Sequence, residues 1–147
     1  MSKFLLVAVA AGLLASPVPA AHELRVMDEA GRVRWSVPVL STTTVTLEYT
    51  NSVYGAPTEE RFTLTPGGFA LTAVRSTSEA VLAYNGLSAP YRREGAFLVA
   101  AASAHLREIV LRVGRTGRPR LRVGSSELPL FTAGEGTRLT IAIAPSP

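Results

Sequence analysis

The 147-residue chain contains no cysteine, one lysine and one aspartate. The absence of cysteine excludes disulfide bonds, a thiol nucleophile, thiolate metal sites and a lipoprotein anchor. The lysine, Lys3, lies in a segment typical of an export signal. Without that segment the chain has fourteen arginines against ten glutamates and one aspartate. The predicted mature chain is therefore mildly basic, and all of its basic charge is carried by arginine.

The first twenty residues predict export. Residues 4–15 form an apolar stretch of twelve residues, which is shorter than the roughly 20 residues that span a bilayer. Small residues and prolines fill positions 16–21, as expected around a signal-peptidase site. We therefore expect a periplasmic protein that is cleaved after about Ala20 and has no membrane span after cleavage.

Residues 21–147 predict a single all-β domain. A chain of this length buries about two thirds of its unfolded surface, so a core can form without disulfides. Apolar and polar residues alternate and turn signals recur at short spacing, which favours one antiparallel sandwich or partly closed barrel of about eight or nine strands. The pattern does not decide the secondary structure of residues 76–106. Residues 79–84 fit a short strand or a helical turn, and residues 100–106 fit a strand or a short helix.

The alternation near the centre of the chain is regular enough to predict a register. A turn at 54–57 places Tyr49 opposite Phe62 and Asn51 opposite Glu60, with all four side chains on the apolar face. A carboxylate on that face is costly unless it is paired or hydrogen-bonded. The pattern therefore singles out Glu60 and its neighbours as a candidate polar site.

Two further hairpins have predicted registers. A turn after Asp28 places Leu24 opposite Trp35, and a later Pro-Gly-Gly turn places Leu64 opposite Phe69. In each pair both side chains fall on one face, as a half-buried hairpin requires.

Three interpretations of Glu60 follow from this register. The carboxylate caps the end of the apolar face by accepting hydrogen bonds from loop N–H groups, with Asn51 orienting it. Alternatively, Tyr49, Asn51, Ser52 and Glu60 form a small polar pocket that binds a ligand. In the third, the predicted register is wrong.

The segment 49–62, YTNSVYGAPTEERF, resembles the signature Y-T-H-S-V…P-x-x-E-x-F of a bacterial family, domain of unknown function 1850. That family consists of small exported proteins, several of them encoded beside TRAP-type and TAXI solute transporters. The resemblance implies that Tyr49, Asn51, Ser52 and Glu60 occupy the polar positions of the signature. It also implies an association with such a transport system.

The chain departs from this signature at Asn51, where the family usually has histidine. An amide neither titrates near neutral pH nor supplies a metal-binding imidazole nitrogen. The resemblance therefore implies no proton-transfer or metal-binding role at this position.

The C-terminal third carries the basic excess. It contains six closely spaced arginines: Arg107, Arg112, Arg115, Arg118, Arg120 and Arg122. Alternation predicts that Arg112, Arg120 and Arg122 point outward. They form either a solvated face or a partner-binding surface for an anionic membrane, an acidic protein or a carboxylate solute. Nucleic acid is disfavoured, because the chain is predicted to be exported and no aromatics are interleaved with these arginines.

The sequence offers little support for a metal site or a serine nucleophile. His22 and His105 are far apart in sequence and no cysteine supports them, so no metal site is expected. No G-x-S-x-G nucleophile motif occurs, and no cofactor is expected.

The function predicted from the sequence is a non-enzymatic binding or accessory module, associated with a TRAP-type solute transport system. It would contact transporter subunits or a small anionic solute. One alternative is a small periplasmic hydrolase or isomerase that uses Glu60 as general base. Another is an envelope structural protein whose arginine face binds anionic surfaces.

Overall fold

Alternating side chains build strands through most of the chain. The computed structural model describes residues 22–145, in which eleven antiparallel strands form two sheets without a closed barrel. The strands are β1 (His22–Asp28), β2 (Val33–Val39), β3 (Thr44–Asn51), β4 (Ala56–Thr65), β5 (Gly68–Ser76), β6 (Arg92–Glu94), β7 (Phe97–Leu106), β8 (Ile109–Arg112), β9 (Arg120–Val123), β10 (Ser126–Leu128) and β11 (Arg138–Pro145). A helix, α1 (Glu79–Tyr84), and a 3-10 turn at Leu130–Ala133 complete the described elements. The all-β prediction is confirmed.

The two sheets pack face to face over one apolar core. The smaller sheet has the order β2-β1-β11-β8, and the larger has the order β10-β9-β3-β4-β5-β7-β6. Leu24, Ile141 and Leu139 on the smaller sheet are fully buried, as are Leu121 and Phe69 on the larger. The core therefore lies between β1 and β11 on one side and β3, β4 and β9 on the other.

Helix α1 covers the part of the large sheet that the small sheet cannot reach. At roughly 4.8 Å per strand, four strands span only about half the width of seven. Leu82 of α1 is fully buried and belongs to a second apolar cluster with Val74 and Ala100. The alanines of 100–106 lie in strand β7, and two of them, Ala100 and Ala102, pack in the cluster that contains Leu82 of the helix.

The predicted registers had different outcomes. Leu64 pairs with Phe69 across the β4–β5 turn, as predicted. In the N-terminal hairpin the prediction was wrong, since Leu24 pairs with Val37 rather than with Trp35. The carboxylate of Asp28 accepts turn N–H groups and a β-bulge follows at Val26/Met27, so the register slips by two residues.

The β3–β4 register was also wrong. Asn51 pairs with Ala56, and Glu60 pairs with Leu47. The turn is tighter than the Pro-containing one that the sequence suggested, and Pro57 lies inside strand β4 opposite Thr50. The Thr50 N–H points away from β4 and donates to the Gly117 carbonyl at 2.8 Å. Thr50 and Pro57 are therefore paired without a ladder hydrogen bond, and the missing N–H of the proline is not needed there.

Candidate functional site

A cavity of about 340 Å³ lies between the two sheets at the β8 edge. Strands β3 and β4 form one wall, β8 forms the opposite wall, and the loop from Gly114 to Pro119 closes the end. The residues that line it are Leu47, Tyr49, Thr50, Asn51, Ser52, Glu60, Ile109, Val110, Leu111, Arg112, Gly114, Gly117 and Pro119. All four residues that the sequence proposed for ligand binding therefore border one cavity.

Tyr49 and Glu60 are the polar pair of this cavity. Both side chains project to the core side of the large sheet, and the Tyr49 hydroxyl donates a 2.7 Å hydrogen bond to Glu60 Oε1. They are diagonal neighbours, because Glu60 pairs directly with Leu47 on one side and with Val74 on the other. A half-buried carboxylate thus lies between two buried aliphatic side chains and accepts a hydrogen bond from a phenol hydroxyl.

Burial shifts the pKa values of both groups. It raises the pKa of Glu60, and the hydrogen bond from Tyr49 only partly opposes that shift. Burial, followed by the Glu60 charge and the same hydrogen bond, raises the pKa of Tyr49 far above its usual value. Tyr49 therefore remains a hydrogen-bond donor, while Glu60 takes up a proton more readily than an exposed glutamate does.

Asn51 does not contact Glu60 as the predicted register required. Its Oδ1 accepts hydrogen bonds from the N–H groups of Val53 and Tyr54, at 3.0 and 3.1 Å. It therefore stabilises the β3–β4 turn as an Asx turn. The interpretation of Glu60 as a cap for loop amides was likewise wrong, because within residues 22–145 its side-chain donor is Tyr49. Asn51 and Ser52 form the polar rim of the cavity next to this turn.

The closing loop carries the chain from β8 in the small sheet to β9 in the large sheet. Its Gly117 carbonyl is fixed to Thr50, and the Arg118 guanidinium stacks 4.3 Å from the centre of the Phe131 ring. Arg118 adopts a φ of +42°, which is uncommon for a residue with a side chain, and the stacking contact helps to hold it there. The loop is therefore anchored at both the cavity and the outer surface.

Three predicted partner-binding arginines point outward, as alternation indicated, but they lie on different sheets. Arg112, on β8, lines the cavity, and its Nη1 donates to the Gly136 carbonyl at 2.6 Å. Arg120 and Arg122, on β9, form ion pairs, Arg120 with Glu127 at 3.4 Å and Arg122 with Glu48. The glutamates reduce the positive charge that β9 presents, and a partner-binding role for these arginines stays a prediction.

Carboxylates on the outer face of the large sheet have different partners from Glu60 in the cavity. Glu59, the residue before Glu60, points outward and pairs with Arg75, with Nε and Oε2 2.6 Å apart. Glu94 pairs with Arg92 at 2.6 Å and with Arg61 at 3.2 Å. These outward carboxylates have arginine partners, whereas Glu60 on the opposite face has a tyrosine.

Sequence reasoning missed one wall of the cavity. Ile109, Leu111 and Arg112 border it because β8 is the edge strand of the small sheet and lies across from β3. The alternation in β8 was visible in the sequence. Which strand would lie opposite it depends on how the two sheets pack, and no local pattern encodes that.

His22 and His105 lie in different sheets, on β1 and β7. Between residues 22 and 145 no three side chains of histidine, cysteine, aspartate or glutamate cluster as metal ligands would. In the same part of the chain, no helix has the length and apolarity needed to cross a membrane.

No protein-family model matches the chain, and neither the curated proteins nor the solved structures contain a significant match. The resemblance of residues 49–62 to domain of unknown function 1850 stays a prediction. The predicted signal peptide, residues 1–20, and its cleavage site lie outside the described residues.

Proposed function

We propose that this protein is an exported, non-enzymatic binding module whose cavity takes a small ligand through Tyr49, Asn51, Ser52 and Glu60. One observation carries the proposal: the Glu60 carboxylate faces a 340 Å³ cavity and accepts from a single described donor, Tyr49. A half-buried carboxylate is costly unless other groups use its acceptor capacity. Groups held in such environments concentrate at functional sites, because the ligand supplies the missing interactions.

The same protein would serve as an accessory to a TRAP-type solute transport system in the periplasm. The support is the resemblance of residues 49–62 to a family encoded beside such transporters. Arg120 and Arg122 are exposed on β9, where an acidic transporter subunit can contact them beside their intramolecular partners Glu127 and Glu48. Under this proposal the ligand binds between the sheets and the transporter subunit docks on the outer face.

A thermal-shift screen of the purified protein tests the binding function. The screen should contain small amines, acids, zwitterions, sugars and neutral amides. A ligand present at 100 times its Kd stabilises the folded state by about 2.7 kcal/mol, or roughly 10 °C for a domain of this size. We expect Glu60→Gln to abolish the shift and Glu59→Gln, on the opposite face, to preserve it. A screen without any Glu60-dependent shift would argue against the proposal.

Affinity purification from the native envelope tests the accessory role. Wild-type protein should recover transporter subunits, and reversing the charge of Arg120 and Arg122 together should reduce their recovery several-fold. Reversal of Arg138, an exposed arginine on β11, provides the control. Equal recovery with the double reversal would exclude docking through β9.

A second candidate is a hydrolase or isomerase in which Glu60 acts as general base. The observation that favours it is the combination of an open cavity with a carboxyl whose pKa is raised by burial. Each ligand found in the screen should be incubated with the protein and followed by mass spectrometry. Turnover that Glu60→Gln abolishes would replace the binding function with catalysis, and unchanged ligand would support binding alone.

A further inference from the structure

Strand β8 is the last strand of the small sheet and pairs with β11 alone. Its four residues, Ile109–Arg112, all line the cavity, although their side chains alternate between the two faces of the sheet. Val110 and Arg112 have the outward parity and are exposed. Neighbouring residues of both parities border one cavity where the strand edge itself forms part of the wall. The outer edge of β8, the side away from β11, therefore lies along the cavity.

The hydrogen bonds next to β8 identify the backbone groups that this outer edge presents. The Val113 N–H donates to the Thr137 carbonyl, just before β11, at 2.8 Å. Backbone direction alternates along an antiparallel pair, so the N–H and C=O groups of Leu111 also face β11, whereas those of Val110 and Arg112 face the outer edge. Among the residues that the structure describes, these outward groups have no hydrogen-bond partner. An extended chain can pair with them as an additional strand.

The cavity beneath this edge suits a long side chain with an apolar stem and a cationic end. Glu60 lies on the wall that the large sheet forms, and Tyr49 is its described hydrogen-bond donor. Leu47, Leu111 and Pro119 supply aliphatic surface. Facing sheets lie roughly 10 Å apart, so a long side chain from one sheet reaches the inner surface of the other. Lysine fits this space, because its stem is apolar and its ammonium group donates to a carboxylate.

The outer face beside the same edge favours an acidic residue. Arg112 pairs directly with Arg138 of β11, and both are exposed. Like charges in such a position repel each other, and within residues 22–145 neither arginine has an ion-pair partner. Arg112 donates from Nη1 to the Gly136 carbonyl and retains further N–H donors. A carboxylate on a strand added to β8 would relieve this repulsion.

We propose that an extended peptide of a partner protein adds to the outer edge of β8 as an antiparallel strand, with a lysine donating to Glu60 in the cavity and an acidic residue beside Arg112. In this register the lysine lies opposite Leu111 and shares its inward face. The acidic residue precedes the lysine, lies opposite Arg112 and shares its outward face. Main-chain hydrogen bonds provide affinity, and the two charges provide specificity. This inference rests on the binding function proposed for the cavity, and it identifies the ligand as a peptide side chain.

Selection from a phage-displayed library of random linear peptides tests this recognition with the purified protein. We expect the enriched peptides to share an acidic residue followed directly by lysine. A synthetic peptide of enriched sequence should bind at least about tenfold more tightly than its norleucine analogue, which keeps the stem of the lysine and lacks the charge. Enrichment of peptides without a basic residue would overturn the inference.

Methylation of single backbone nitrogens in that synthetic peptide tests strand addition without changing the protein. In the proposed register the N–H of the acidic residue faces β8, and the N–H of the lysine faces away from it. N-methylation of the acidic residue should weaken binding about tenfold, as the loss of a main-chain hydrogen bond implies. N-methylation of the lysine is the matched control and should change binding by no more than about twofold. Equal effects at the two positions would exclude strand addition.

Variants of the protein test the edge and the cavity separately. Glu60→Gln should weaken the selected peptide at least about tenfold. Val110→Pro should weaken it about tenfold as well, because proline removes an N–H that faces the outer edge, and an edge strand tolerates proline at such a position. Glu59→Gln and Arg115→Gln are matched controls on the outer face of the large sheet and on the closing loop, and they should stay within about twofold of wild type. Circular dichroism of every variant verifies folding.

The failures of this inference and of the binding function are distinguishable. If the selected peptides are indifferent to Glu60→Gln, or if no peptide is selected while the small-ligand screen finds a Glu60-dependent ligand, only this inference is overturned. If the wild-type protein sediments as a dimer and Val110→Pro as a monomer, a second copy occupies the edge, and again only the peptide inference fails. If neither experiment finds a Glu60-dependent ligand, both proposals fail.

Discussion

A double-mutant cycle of Tyr49 and Glu60 would measure the interaction at the centre of the cavity. Tyr49→Phe removes the hydroxyl that lies 2.7 Å from Glu60 Oε1. Hydrogen bonds to charged groups contribute about 1.5–3 kcal/mol. Since the carboxylate lies between Leu47 and Val74, we expect a loss of about 2 kcal/mol in the free energy of unfolding at pH 7.5.

The effect should shrink when Glu60 is already neutral. Glu60→Gln keeps an acceptor oxygen for Tyr49 but removes the buried charge, so that variant should be more stable than wild type at pH 7.5. In the Gln background, Tyr49→Phe should lower the free energy of unfolding by about 1 kcal/mol, the contribution of a neutral hydrogen bond. The difference between the two backgrounds is the coupling energy.

The pH dependence follows from the raised pKa of Glu60. In the window between its unfolded pKa, near 4.5, and its higher folded pKa, the folded state holds a proton that the unfolded chain has released. The stability that protonation contributes is fully present below this window and is lost as pH rises through the folded pKa. The advantage of Glu60→Gln over wild type should therefore grow from pH 4.5 upward and then level off, by about 1.4 kcal/mol per pKa unit of separation.

Urea unfolding, followed by the fluorescence of Trp35, the single tryptophan, gives these free energies across pH. Tyr54→Phe is the matched control, because Tyr54 is exposed and its hydroxyl donates to no described residue. It should change stability by less than about 0.5 kcal/mol. The reasoning would be refuted if Tyr49→Phe behaved like this control, or if Glu60→Gln destabilised the protein equally at every pH.

Two further predictions concern the turns that position the sheets. Gly68→Ala should lower the free energy of unfolding by about 3 kcal/mol or more in urea titrations, because its Cβ would overlap the Leu106 carbonyl oxygen and φ is +146°. Gly67→Ala, with open space around it, should change the free energy of unfolding by less than about 1 kcal/mol. Equal effects of the two substitutions would contradict this account. Asp28→Asn should lower Tm at pH 7 more than at pH 3. Burial alone would raise the pKa of Asp28, but hydrogen bonds from Arg32 outweigh burial and keep this pKa below 3.8. The stability that the Asp28 carboxylate contributes is therefore present above pH 3.8 and is lost as pH falls through its folded pKa. A Tm difference that is constant between pH 3 and pH 7 would exclude this role.

The errors in register did not disturb the faces that the sequence predicted. The β3–β4 pairing differs from the predicted one by four residues, yet Glu60 still points to the core and Glu59 to the outside. Side chains alternate with a period of two, so a slip by an even number of residues keeps every side chain on its face. The contact partner of Glu60 differs from the predicted one because pairing depends on the turn. That turn is shorter than the sequence suggested, and Pro57 lies inside β4.

The sequence by itself determined the fold class, the inward position of Tyr49 and Glu60 and the outward position of the arginines, because alternation along a strand is a local property. Only the tertiary structure decided what lies opposite these side chains. The packing of the two sheets places β8 across from β3, which encloses the cavity that Glu60 borders. Contacts between sheets depend on elements far apart in sequence, so the cavity forms only once both sheets are assembled.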